Sequence, residues 1–388
     1  MIPSSVSRAP YAAHAVPCRL PWRAWHRREA IVTPWDITVD GHTSSGKVGC
    51  GPCRRHTPRP PRPRVAARLV RHGLFGFTTP SLAARQGPAT KSQSPRRLGS
   101  AMLFIEPHAG IAPIIRFVRD ARTRLDINTY LLTDRRVLAA VHAAVQRGVR
   151  VRVIIARHPY GHRPRGELTR LRATGATVHY APPRFTGRYV FDHAKYMVSG
   201  NHSEIGTANM SWSAFHRNRE YLWVGHDARI ATALRTVFQA DWTHRHAGIA
   251  PRRVLVLSPG ATGALVRLLQ APGRVCVESE ELGHDRPILA ALSAKGPSAD
   301  LLLPMRLDRY DRRIARDVAS QGVHVRFLRS PYLHAKLIAG PTQAFIGSEN
   351  LSPSSLQRNR EVGLILQRRA ARRLFAQCQR DFARGSKR

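Results

Sequence analysis

From Met102 onward, apolar residues recur with two alternating periods. Met102–Ile105 is a short apolar run that predicts a strand, Ile111, Ile114, Ile115, Phe117, Val118 and Ala121 fall at helical spacing, and Leu125–Leu132 predicts a second strand. Asp134 stands where an N-cap belongs, before a helix whose buried face would be Val137, Leu138, Val141 and Val145. Gly148 then closes that helix ahead of a strand over Val149–Ala156. A short helix over 166–174, a strand over 177–180 and a strand over 189–198 complete this unit. The plan then repeats. Strands are predicted over 254–257, 274–278, 301–303 and 323–328, with helices over 261–270, 285–294 and 308–320 between them. Strands alternating with helices imply an α/β fold with mixed or parallel sheets flanked by helices, and two such units imply a pseudo-two-fold molecule. The expected organisation is a first domain over 101–248 and a second over 249–388.

Residues 1–100 carry neither period. They are rich in Pro, Arg and Ser, with Thr57–Arg64 as the extreme, and are expected to be disordered because so little apolar surface cannot offset the entropy of ordering. Met102 is the next methionine after Met1 and stands at the first patterned residue, which makes it a candidate second start of translation.

One pattern is written twice. Phe191-Asp192-His193-Ala194-Lys195 is answered by Leu333-His334-Ala335-Lys336, Gly206-Thr207-Ala208-Asn209 by Gly347-Ser348-Glu349-Asn350, and Arg217-Asn218-Arg219-Glu220 by Arg358-Asn359-Arg360-Glu361, all at one shift of 141 residues. Only 6 of the 63 basic residues are lysines. A random His-x-Lys is therefore expected ~0.3 times on a composition estimate. A lysine kept at both places in an arginine-rich chain indicates that a compact ammonium is needed there.

Composition changes this picture little. The 43% hydrophobic content over 388 residues suffices for two ordinary domains. A formal charge of +39 points to an anionic partner, either nucleic acid or an anionic membrane surface, although the arginine is spread along the whole chain. The five cysteines show no disulfide framework, and Cys50-Gly-Pro-Cys53 lacks the strand before it and the helix after it that a redox motif needs. No run of 18 apolar residues predicts a membrane span and no apolar stretch near the N-terminus reads as a signal peptide, so a cytoplasmic or peripheral-membrane monomer is expected.

On a strand, His193 and Lys195 would project together, as would His334 and Lys336. A neutral imidazole beside an ammonium is a nucleophile next to an anion site. The set lacks the cysteines or paired carboxylates of a metal site, so metal-free handling of a phosphate, without a cofactor, is expected.

These paired elements resemble the phospholipase D superfamily, and the likeness extends over about residues 102–385, including Ile105-Glu-Pro-His, Ile127-x-x-Tyr130 and Arg147-Gly-Val-Arg-Val. The resemblance implies two α/β domains packed face to face, one active site between them, and a phosphohistidine intermediate. It departs from the family pattern at Gly200 and Pro341, where an Asp often follows the Lys by five residues, which bears on how the two domains are braced. It also implies roles. His193 would attack phosphorus and His334 would act as general acid and base. Lys195, Lys336, Asn209, Asn350 and the Thr207 and Ser348 hydroxyls would hold the phosphoryl oxygens. Glu220 and Glu361, each 27 residues after its His, would hold the second ring nitrogen. The expected substrate is a phosphodiester, first a phospholipid, with nucleic acid, phosphatidyl transfer and an inactive anion-binding module as alternatives.

Overall fold

The structure is a computed structural model describing residues 101–161 and 164–387. The Pro/Arg-rich segment, the Cys50/Cys53 pair and the region before Met102 lie outside the described residues.

The first half runs β1 (Met102–Glu106), α1 (Ala112–Asp120), β2 (Arg124–Thr129), α2 (Arg135–Gln146), β3 (Arg150–Ile155), α3 (Glu167–Arg172) and β4 (Thr177–Tyr180). It continues through β5 (Lys195–Ser199), β6 (His202–Gly206), α4 (Trp212–His216), β7 (Asn218–His226) and α5 (Ala228–Trp242). The second half runs β8 (Val256–Ser258), α6 (Thr262–Gln270), β9 (Val275–Ser279), α7 (Arg286–Lys295), β10 (Ala299–Pro304), α8 (Arg309–Ser320) and β11 (His324–Leu328). β12 (Tyr332–Leu333), β13 (Lys336–Ala339), β14 (Gln343–Gly347), α9 (Pro353–Gln357), β15 (Glu361–Gln367) and α10 (Arg368–Arg384) follow.

Each half builds one mixed sheet. The first has the order β1-β7-β6-β5-β2-β3-β4 and the second β11-β10-β9-β13-β14-β15-β8. Within each, the three strands joined by helical crossovers are parallel, and the hairpin strands that follow are antiparallel. The apolar pattern explains the layering. Ile114, Phe117, Val118, Val137 and Val141 cover one face of the first sheet, while Leu265, Leu269, Ile288, Leu292 and Ile314 do the same for the second. The opposite faces share one core, in which Tyr196, Ile205, Tyr221 and Trp223 join Leu337, Ile346, Val362 and Leu364, with α5 and α10 contributing Leu234, Phe238, Leu374 and Phe382. Capping follows the sequence signals, since the Asp134 carboxylate accepts from Arg136 N, Asp285 from Ile288 N and Asp308 from Asp311 N.

Three expectations are corrected. The strand placed at 189–198 begins only at Lys195, because the backbone before it pairs across the molecule: His193 N donates to Arg360 O at 2.8 Å and Arg360 N to Phe191 O at 3.0 Å. In the same way β12 leaves its own sheet to pair in parallel with Asn218–Arg219 of β7. The pattern also missed β6, β7, β14, β15, α5 and α10. In β6 the polar Ser203 and Glu204 are fully buried, which hides the alternation a half-buried strand would show. Third, Cys276 on β9 and Cys378 on α10 form a disulfide across 102 residues, a pairing that depends on how α10 folds back and so leaves no trace in spacing. Among the described residues no helix is long and apolar enough to cross a membrane.

Candidate active site

The repeated motifs converge where the two sheets meet. Lys195 opens β5 and Lys336 opens β13, and each ammonium turns back onto the carbonyl of its own histidine, Lys195 Nζ to His193 O and Lys336 Nζ to His334 O, both at 2.7 Å. The histidines precede these strands and hang on the crossed backbone segments. Both Lys residues and His334 are almost wholly buried, and His193 keeps 8% of its surface.

The glutamates cross over. His193 Nδ1 lies 3.0 Å from Glu361 Oε2, and His334 Nδ1 lies 2.8 Å from Glu220 Oε1. Each carboxylate therefore holds the imidazole of the opposite half, whereas a reading within each repeat assigns it to its own. The glutamates are themselves fixed, Glu220 by Asn218 Nδ2 at 3.1 Å and Thr207 Oγ1 at 2.5 Å, Glu361 by Ser355 Oγ at 2.7 Å and Asn359 Nδ2 at 3.3 Å.

The Thr207 hydroxyl donates to Glu220 and accepts from Tyr221 N, and the Ser348 hydroxyl accepts from Val362 N at 3.0 Å. Both residues are fully buried. Asn209 and Asn350 lie at the site with 2% and 4% exposure, and Asn350 Oδ1 has no partner among the described residues.

The arginines next to the glutamates serve as braces. Arg219 Nη2 donates to Asp381 of α10 at 3.0 Å, and Arg360 Nε donates to Asp241 of α5 at 2.8 Å. Each pair joins one half to the other, in a chain that carries Gly200 and Pro341 where an Asp was looked for. Arg217 lies with its guanidinium 4.8 Å from the Trp212 ring centre.

Two further residues distinguish the halves. In the sheet register Thr129 pairs with Lys195 and Ser279 with Lys336, so Tyr130 and Glu280 occupy equivalent places one residue further on. The Tyr130 ring stands edge-on to the His193 imidazole at 4.8 Å. Glu280 instead accepts from Lys336 Nζ at 2.6 Å and from the Tyr332 hydroxyl at 3.2 Å, and approaches His334 Nε2 at 3.5 Å. Glu280 lies outside every repeated motif, and only the sheet register reveals it.

This difference separates the two imidazoles. Burial pushes His193 well below the usual histidine value, and the charges of Lys195 and Lys336 push it further. Burial acts the same way on His334, but Glu220 and Glu280 outweigh it and raise the value. Burial would raise Glu220 and Glu280; the His334 and Lys336 charges overcome it, lowering both and drawing Glu280 down to about 2. Burial raises Glu361 to about 7 against the pull of Lys195, while Lys195 is itself pushed down to about 7 by burial and Lys336. Two geometrically equivalent His–Glu pairs thus differ in electrostatics: the surroundings favour the proton on His334 and disfavour it on His193. Among the described residues no group of three or more His, Cys, Asp or Glu side chains is placed to hold a metal ion.

Beside the centre lies a groove of about 600 Å³ whose lining includes His108, His216, Arg217, Tyr332 and Arg384 and no carboxylate. It reaches the site through Tyr332.

Residues 114–242 and 283–385 match the family described as "Cardiolipin synthase, PLD-like domain", more than half of the chain. No curated protein matches in sequence. Among solved structures, phosphatidylserine synthase from Haemophilus influenzae is similar over 73% of this chain and 85% of its own, at 12% identity and a TM-score of 0.57. Polyphosphate kinase from Porphyromonas gingivalis is similar over 71% of this chain, at 15% identity and a TM-score of 0.54, and this chain spans 49% of it. Both likenesses concern the fold.

Proposed function

Because this chain belongs to the cardiolipin synthase, PLD-like domain family within the phospholipase D superfamily, we propose that its site cleaves a phosphodiester, a phospholipid headgroup ester, through a phosphohistidine. The observation that carries this reading is the pair of buried imidazoles, each held at Nδ1 by a carboxylate of the opposite half, with Glu280 beside His334 alone.

In the first step His193 Nε2 attacks phosphorus. Glu361 on Nδ1 fixes the tautomer that leaves a lone pair on Nε2. The N–P bond forms as the P–O bond to the alcohol breaks, and His334 gives its Nε2 proton to the departing oxygen, a contribution of roughly 10²–10⁴-fold. In the second step the neutral His334 takes a proton from water, water oxygen attacks phosphorus, and the N–P bond breaks to release phosphatidate. Lys195, Lys336, Asn209 and Asn350 hold the phosphoryl oxygens. The basic groove guides the anionic substrate in.

A second reading, transfer of the phosphatidyl group to an alcohol in place of water, is favoured by the family's description. Its chemistry differs only in the nucleophile of the second step. Incubating the full chain in chelator with phosphatidylcholine vesicles, with and without glycerol, separates the two: phosphatidate alone indicates hydrolysis, and phosphatidylglycerol indicates transfer. Cleavage of single-stranded DNA in place of lipid would redirect the assignment to a nuclease. His193→Ala should abolish turnover and the acid-labile phosphoenzyme, and label retained in that variant would reverse the roles of the two histidines.

A further inference from the structure

We propose that Glu280 makes this site select phosphodiesters over phosphomonoesters, by placing a fixed negative charge where a monoester carries its additional anionic oxygen. The inference rests on the phosphodiester reading above and adds to it a residue that the repeated motifs do not contain.

The geometry is specific. Glu220 and Glu361 are each turned onto an Nδ1, away from the reacting position, whereas Glu280 Oε2 lies 3.5 Å from His334 Nε2, the nitrogen that addresses the leaving oxygen. In a diester that place is taken by an ester oxygen, which carries no full charge and becomes a hydroxyl on departure. In the monoester product, whose one ester oxygen joins phosphorus to the retained alcohol, it is taken by an anionic oxygen. Lys336 Nζ at 2.6 Å and the Tyr332 hydroxyl at 3.2 Å hold the carboxylate in place, and 8% exposure leaves little water to screen it. Glu280 stays ionised throughout the neutral range, since His334 and Lys336 hold it near 2 against burial. The other half has Tyr130 at the equivalent position, so this discrimination acts on one side of the phosphorus alone. A consequence is that the monoester product, which gains charge on leaving the histidine, is repelled from the site that made it.

The test is equilibrium binding of two small probes to the full chain by calorimetry at pH 8, dimethyl phosphate as a monoanion and methyl phosphate as a dianion. Wild type should prefer dimethyl phosphate, and Glu280→Gln should shift the affinity ratio toward methyl phosphate by about tenfold or more, the size expected for removing one buried like charge. Glu280→Asp, which keeps the charge, should retain most of the wild-type preference. If the Gln variant does not fold, Glu280→Ala takes its place, with the same shift of the affinity ratio toward methyl phosphate expected. Binding of both probes with a ratio unmoved by removal of that charge would overturn the role of Glu280 and leave the phosphodiester reading standing. Binding of neither probe would overturn both.

Discussion

Proposed for opposite tasks, His193 and His334 have matching neighbours in sequence, and the difference in their surroundings comes from the residue one past the strand that pairs with each lysine. With Tyr130 beside it, His193 has the single carboxylate of Glu361 in contact and is lowered by burial and the Lys195 and Lys336 charges; with Glu280 beside it, His334 has two carboxylates. The sign of the pH dependence follows. A nucleophile depressed well below the usual value is lost only as pH falls beneath the ordinary histidine range of about 6.5, and an acid raised above that value is lost as pH rises through its own. A plot of kcat/KM against pH should therefore be a bell whose plateau includes pH 6.5, with Lys195, held at about 7, losing its charge on the alkaline side. Glu220→Gln should move the alkaline limb to lower pH, because it removes the first charge holding the His334 proton. An alkaline limb unmoved in that variant would contradict the role of Glu220, since the Lys195 charge draws on that carboxylate as well. At this scale the sequence singled out the histidines, lysines and glutamates that the structure brings together, but a shared spacing of 27 residues could not tell whether each glutamate meets its own histidine or the other.

At the scale of elements, the two terminal helices of the halves do the bracing. Arg219 is 1% exposed and its guanidinium ends on Asp381 of α10, so Asp381→Ala leaves a buried cation unpaired, which should cost about 3–5 kcal/mol in chemical denaturation. The same residue lies next to Glu220, and activity should fall along with stability. Cys378 ties α10 to β9, and Cys378→Ser should lower stability by about 2–5 kcal/mol under oxidising conditions with little change under reducing ones. Neither α5 nor α10 follows from the period analysis. Of the α10 residues, Arg and Gln dominate the exposed face, and its core contacts are the few residues Ala371, Leu374, Cys378 and Phe382. The crossover helix α2 was legible because the capping Asp134 and a broad apolar face coincide, and α7 and α8 were legible from their place between predicted strands.

For the whole molecule, the consequence of the crossed glutamates is that neither half holds a complete site. Each supplies a histidine and a lysine to itself and a carboxylate to the other, and both contribute to one shared apolar core. Fragments divided at the proposed boundary between residues 248 and 249 should be inactive separately and active when mixed. Activity in either fragment alone, measured on the same substrate, would contradict a shared centre.

The sequence by itself determined the two-fold repeat, the α/β class and the identities of the paired His, Lys, Asn and Glu. These rest on local periodicity and on a constant shift, both of which survive in one dimension. The tertiary structure decided which glutamate meets which histidine, that the Thr207 hydroxyl bonds to Glu220 and the Ser348 hydroxyl to Val362 N, and that Glu280 breaks the symmetry. Those contacts join residues 114 and 168 apart for the His–Glu pairs and 56 apart for Lys336 and Glu280. The first two distances are set by how one sheet faces the other, the third by the register of β9 against β13, and no spacing along the chain encodes either.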